Sequence, residues 1–283
     1  MQTVFVVGAS GATGRHVVKQ IADSNVNVRI LVRDRSKLPL WLTSNERVTV
    51  FEGSILDVAD NKLRGFVDGC SAIVSCLGHN LTFNGIYGEP RLLCYEATKR
   101  LCEAVRATKS SESALPVCRF VLMNTVGAQD LTNPQESVPW PQFLAVSLIR
   151  WIAPPHADNE QAAAYLRNTL GRDPGIEWCI VRPDGLVNED KVSEYTISEC
   201  PRTDVIFDSL SVSRINVAHF MAALAVGDSQ WAQHKHKSPC IVSTASVKDH
   251  QQQAAWFLRP ASVCTWTALV GVMVWFLGVA VPY

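Results

Sequence analysis

Three glycines, Gly8, Gly11 and Gly14, are spaced GxxGxxG between a short apolar run, Thr3 to Val7, and a helical pattern marked by Val17, Val18 and Ile21. The chemistry this spacing suits is phosphate binding. Gly8 allows a sharp turn off a strand, Gly11 lets backbone approach a pyrophosphate, and Gly14 permits close packing of helix on sheet. The helix that begins near Thr13 would aim its unpaired N–H groups and positive dipole end at the phosphates. A second apolar run, Val28 to Val32, completes strand, glycine loop, helix and strand, the opening of a dinucleotide-binding unit.

The end of that second run discriminates between cofactors. An NAD site places Asp or Glu about 20 residues past the loop to bond the ribose 2′-OH. This chain offers Arg33, with Arg35 and Lys37 close behind. A guanidinium matches a 2′-phosphate bidentately, so NADP(H) is favoured over NAD(H). Asp34 supplies the case for NAD.

These residues need a scaffold, and the remaining pattern provides one. Strand-like runs recur at Val48 to Gly53, Ala72 to Cys76, Arg119 to Met123 and Trp178 to Val181. Helical patterns lie between them at Val58 to Val67 and Glu89 to Ala107. Such alternation predicts an α/β fold, a Rossmann-type doubly wound parallel sheet covered on both faces. Ligands of such sheets lie beyond the carboxyl ends of the strands. Gly8 to Thr13, Arg33, Ser54, Leu77-Gly78, Thr125 and Pro183 all fall there, and Pro183 joins the expected cofactor crevice.

Two stretches break the alternation. The connection Gly127 to Asp158 holds a proline-bracketed apolar helix, Phe143 to Ile152, suited to a lid, a packed helix over the pocket mouth or an interfacial foot. A glycine-punctuated loop, Leu81 to Arg91, follows the fourth strand where substrate would meet the nicotinamide. Past Asp184 the pattern becomes irregular, with short strands and one clear helix, Asn216 to Val226.

Lys plus Arg and Asp plus Glu balance at 26 each, so no global field points to nucleic acid, and none is expected as a partner. Nine cysteines without CxxC pairs read as small buried hydrophobes in a reducing compartment. The N-terminus opens directly into a strand, which leaves no room for a signal peptide. From Ala261 to Tyr283 no residue is charged. As a helix, 261–281 would span roughly 31 Å, the thickness of a bilayer core. The preceding Lys235, Lys237, Lys248 and Arg259 are basic and nothing basic follows. The expectation is a C-terminal transmembrane helix, a single-pass tail anchor with the main domain facing the cytosol. The expected domains are a Rossmann-type domain over 1–250, with a substrate-side subregion from about 184, and the span at 261–281.

The stretches VFVVGASGATGRHV, LVRDRSKLP, AIVSCLG, RFVLMNTVG and GIEWCIVRPDGLV together resemble the atypical short-chain dehydrogenase/reductase superfamily. Within it they are most similar to the NAD(P)H-binding group of NmrA-like proteins and flavin/biliverdin-IXβ reductases, over about Met1 to Val226. The resemblance implies that Gly8, Ser10, Gly11, Ala12, Thr13 and Gly14 hold the pyrophosphate and Arg33 the 2′-phosphate. It implies that Ser54-Ile55 and Cys76-Leu77-Gly78 hold adenine and its ribose, with Ser54 standing where many relatives carry Asp. It also implies a catalytic hydroxyl at Thr125, the end of the fifth strand.

The commoner reductases of that superfamily follow this hydroxyl with Tyr-x-x-x-Lys. Here the tyrosine position falls near Pro155-His156 and the lysine position holds Asn159, while Tyr165 has Thr169 four residues on. Chemistry through a Tyr–Lys pair is unsupported. His156 and His79 are titratable substitutes of lesser weight than Thr125. His219, His234 and His236 lack a supporting acid at ligand spacing, so no metal is expected. Two functions remain open: an NADPH-dependent reductase of a planar, quinone- or flavin-like small molecule, and a non-catalytic NADP(H)-sensing regulator of the NmrA-like type.

Overall fold

The structure is a computed structural model that describes residues 2–79, 88–109, 117–129, 136, 154–201 and 210–257. Its first half alternates β1 (Thr3–Val7), α1 (Gly14–Asp23), β2 (Asn27–Val32), a one-turn α2 (Leu40–Thr43), β3 (Val48–Glu52), α3 (Asp60–Val67) and β4 (Ala72–Ser75). There follow α4 (Leu93–Lys109), β5 (Cys118–Met123), α5 (Pro154–Ala164) and β6 (Ile176–Pro183). Next come β7 (Gly185–Val187), β8 (Tyr195–Ser198), β9 (Ser211–Ser213), α6 (Arg214–Val226), α7 (Asp228–His234), β10 (Cys240–Ser243) and α8 (Thr244–Phe257).

Eight strands form one sheet in the order β3-β2-β1-β4-β5-β6-β10-β8. Every neighbouring pair is parallel except β10 with β8. β7 and β9 pair separately. The order reverses beside β1, which makes the carboxyl ends of β1 and β4 a topological switch point where a ligand crevice opens.

Strand alternation divides the core in two. Val4 and Val6 of β1 join Val17, Val18 and Ile21 of α1 and Phe220 and Leu224 of α6 on one face. Phe5 and Val7 join Leu63, Leu101, Val105 and Leu166 on the other. With both faces covered, the central strands are apolar at nearly every position, as in parallel sheets generally.

Element ends differ from the sequence pattern for local reasons. α4 starts at Leu93 rather than Glu89, because Pro90 constrains the residue before it and Asp158 supplies a cap further on. α5 continues into a wider π turn, Tyr165–Leu170, which ends at Gly171 with φ +60°. β8 and β10 extend the main sheet beyond β6. All eight described cysteines are free thiols, and six are buried.

The chain divides into two compact units, Met1–Ser243 and Thr244–Tyr283. α8 is the described part of the second. Among the described residues no helix is long and apolar enough to cross a membrane. The expected span at 261–281, the apolar helix Phe143 to Ile152 and residues 81–87 of the loop after β4 lie outside the described residues.

Candidate functional site

The glycine loop shows why each glycine is there. Gly8 has φ +78°, and a Cβ on it would sit 2.5 Å from the backbone carbonyl of Cys76. A Cβ on Gly14 would come within 2.1 Å of the Gly8 carbonyl oxygen. β1, β4 and the start of α1 thus meet at distances only hydrogen side chains allow. Gly11 is less crowded, with its N–H donating to Gly8 O at 3.0 Å and its Cβ position 3.1 Å from that oxygen. Thr13 occupies the N-cap of α1 without a side-chain hydrogen bond, and Ser10, Gly11 and Ala12 are exposed. An uncapped helix N-terminus behind exposed glycine backbone is an anion-binding arrangement.

A cleft runs from this loop across the ends of β2, β3 and β4. Gly8, Ser10, Arg33, Ser54, Ile55 and Leu77, six of the residues anticipated for the cofactor, line it. Leu56, Pro90 and Leu93 contribute apolar walls that the sequence did not single out. Apolar walls with a hydroxyl and a guanidinium at the rim suit a purine and its ribose phosphate. The other anticipated residues are not on its wall. Cys76 is buried beneath it, its N–H donating to Val7 O at 3.0 Å, and burial pushes its thiol up to about 12. Gly78 is exposed with open space around it. Pro183 is buried in β6, its carbonyl accepting from Val126 N–H at 3.1 Å.

The residues around Arg33 bear on cofactor choice. Asp34 accepts from Ser36 N–H at 2.9 Å and from Ser36 Oγ at 2.6 Å, capping the short turn Arg35–Lys37. Those two hydrogen bonds, aided by Lys37 at 3.5 Å, hold its carboxyl below the usual range. The carboxylate that would favour NAD is thus committed to its own turn, while Arg33 is exposed at the cleft and pairs with no acid among the described residues.

At the end of β5 the polar groups are ordered. Asn124 is buried, donating from Nδ2 to Asn159 O at 2.8 Å and accepting from Thr125 N–H at 2.8 Å. Thr125 Oγ1 accepts from Gly127 N–H at 3.3 Å. A Cβ on Gly127 would lie 3.0 Å from His156 Cε1, so the imidazole packs where only glycine leaves room. Tyr165 is buried, edge-on to Tyr95 with ring centroids 6.1 Å apart, and burial raises its hydroxyl to about 12. It does not substitute for the missing tyrosine.

One buried residue escaped the sequence reading. Asp158 is fully buried and accepts from Cys94 N–H at 2.7 Å, from Tyr95 N–H at 2.9 Å and from His79 Nε2 at 2.7 Å. It caps α4 and ties His79, two residues past Leu77, to α5. His79, Cys94 and Asp158 offer ligand atoms within 4.8 Å of one another. Both carboxylate oxygens already accept hydrogen bonds, and burial, then the nearby carboxylate, pushes the Cys94 thiol well up. The cluster is a capping arrangement. A second buried pair, Arg182 with Glu136, joins β6 to the long connection, and Arg182 Nε also donates to Ser238 O at 2.7 Å.

A family profile described as NAD(P)H-binding matches residues 8–227, the whole stretch from the glycine loop to the end of α6. The chain belongs to this NAD(P)H-binding family. Within its reach a chloroplast protein of Arabidopsis thaliana, itself uncharacterized, is 24% identical over 215 residues, 76% of this chain and 69% of that one. A wide-type short-chain dehydrogenase/reductase of Veillonella parvula, solved with NADP, shares the fold at TM-score 0.60 and 16% identity. That match covers 87% of this chain and 96% of the other. An anaerobilin reductase of Escherichia coli O157:H7 matches at TM-score 0.59 and 15% identity, covering 86% and 98%. The expected resemblance to atypical reductases, the Rossmann-type sheet and the NAD(P)H-binding character hold.

Proposed function

We propose that the chain is an NADPH-dependent reductase of a small planar acceptor, quinone- or flavin-like, that works without a Tyr–Lys pair. The observation that carries this reading is the cleft with Arg33 at its rim and Asp34 tied to Ser36. In this reading the N–H groups of 12–14 hold the pyrophosphate, Arg33 the 2′-phosphate, and Ile55, Leu77 and Leu93 the adenine. Bound there, the cofactor supplies two electrons as a hydride. Thr125, at the end of β5, donates a hydrogen bond to the acceptor, since a hydroxyl that accepts from Gly127 N–H still has its own proton to give. Two similar proteins support the reading by what they are, one solved with NADP and one an anaerobilin reductase.

Anaerobic stopped-flow mixing of the NADPH-loaded protein with quinone and flavin acceptors tests it. Oxidation of NADPH faster than in protein-free controls is expected. Tight NADPH binding with no acceptor reduced would favour the second reading, an NADP(H) sensor, which Asn159 in place of a lysine also suits.

The same proposal places the catalytic body on the cytosolic side of a membrane, held by residues 261–281. The unbroken charge-free length supports it. Full-length protein should stay in the pellet after a carbonate wash, and protein lacking 261–283 should be released while still binding NADPH. A full-length chain that washes off would overturn the anchor.

A further inference from the structure

A second polar side chain stands beside Thr125 at the end of β5. At the start of α5 the His156 ring lies 14% exposed, with Nε2 3.4 Å from Glu160 Oε1 one helical turn on. That nitrogen is shut off from solvent and has no hydrogen bond among the described residues. A buried ring nitrogen without a hydrogen bond is costly, so this one calls for a partner. The Cε1–Nδ1 edge of the ring turns to the β5 end, with Cε1 3.0 Å and Nδ1 3.4 Å from where a Gly127 Cβ would be. Thr125 Oγ1 lies 3.7 Å from the same point. A carboxylate, an imidazole and a hydroxyl are thus arranged in sequence, at the carboxyl end of β5 where substrates of parallel sheets sit.

We infer that His156, backed by Glu160, and Thr125 form an oxygen-binding subsite, so that the acceptor is one that presents a carbonyl or quinone oxygen. This rests on the reductase reading and narrows its substrate class. As the acceptor gains hydride from reduced nicotinamide, its oxygen takes a proton from the His156 ring. A quinone then leaves as hydroquinone, and the ring recovers a proton from solvent. Electrons and protons balance, two of each, with Glu160 acting as a positioning residue that orients the ring. Gly127 is small because the ring occupies the space of a side chain.

The test is anaerobic calorimetric titration of 1,4-naphthohydroquinone into the NADP⁺-loaded full-length protein, alongside single-turnover reduction of the matching quinone. His156→Gln and Thr125→Val should each weaken hydroquinone binding roughly tenfold or more, the loss expected when a hydrogen bond to a polar ligand is removed. Gly127→Ala, which displaces the ring without altering its chemistry, should do the same. Glu160→Gln should weaken binding, whereas Glu160→Asp, which keeps the charge, should restore most of it. NADPH affinity and the thermal midpoint of each variant show that cofactor site and fold are intact. If wild-type protein reduces no quinone but hydroquinone binding depends on His156, the reductase reading fails and the subsite stands. Hydroquinone binding that is absent, or indifferent to His156→Gln and Gly127→Ala in folded protein, overturns the inference.

Discussion

Replacing Asp158 should damage the protein more than any exposed change near the cleft. Its carboxylate is fully buried and is the acceptor for two backbone N–H groups at the start of α4 and for the His79 ring. A buried donor left without an acceptor costs about 1–3 kcal/mol, and the loss of an N-cap about 0.5–2 kcal/mol. Asp158→Ala strands the two backbone N–H groups and breaks the His79 contact, so about 3–5 kcal/mol is expected, at the upper end for a single substitution. Asp158→Asn keeps one carbonyl acceptor and should lose roughly 1–2 kcal/mol by the same reckoning. Urea unfolding followed by circular dichroism measures both, with the midpoint falling and the slope unchanged. His79 loses its tie to α5 along with the cap, so NADPH affinity should fall in the alanine variant even at low urea. An Asp158→Ala protein within about 1 kcal/mol of wild type would show that α4 and His79 find other partners.

Further outcomes follow from the cleft and its supports. Arg33→Ala should weaken NADPH about tenfold to a hundredfold, the worth of a charge-assisted contact, and leave NADH nearly unchanged; equal losses in a fluorescence titration would refute the 2′-phosphate role. Gly14→Ala drives a methyl to 2.1 Å from Gly8 O and should cost at least about 1–3 kcal/mol with loss of NADPH binding. Gly65→Ala, with nothing within 4 Å, should instead stabilise α3 by up to about 1 kcal/mol, so similar melting of the two variants would contradict the packing argument. Glu136→Gln leaves Arg182 a buried cation without its carboxylate and should cost about 3–5 kcal/mol, read from the urea midpoint.

How far the sequence carries this picture depends on the range of each interaction. The glycine loop is legible because its turn, its close approaches and its helix lie within a dozen residues, and the structure bears out Gly8 and Gly14 as positions where no Cβ fits. Arg33 is legible because the end of β2 follows from the apolar run before it. Asp158 is not, since it caps a helix 64 residues earlier in the chain and nothing around it marks a cap. β10 reads as a four-residue apolar fragment, and only its register beside Arg182 and Pro183 makes it part of the sheet. The walls at Pro90 and Leu93 belong to a segment whose hydrophobic pattern suggests helix but whose proline delays it. The facing of Gly127 and His156 is likewise a property of packing, because a glycine after a strand ordinarily signals only a turn.

The most direct test of the central claim is calorimetric titration of the full-length protein with NADPH and, separately, NADH at one ionic strength. One NADPH should bind per chain, at least tenfold more tightly than NADH, with the difference shrinking as salt screens the exposed Arg33. No binding of either cofactor, or NADH bound as tightly as NADPH, would contradict the assignment of the cleft to an NADP-type dinucleotide.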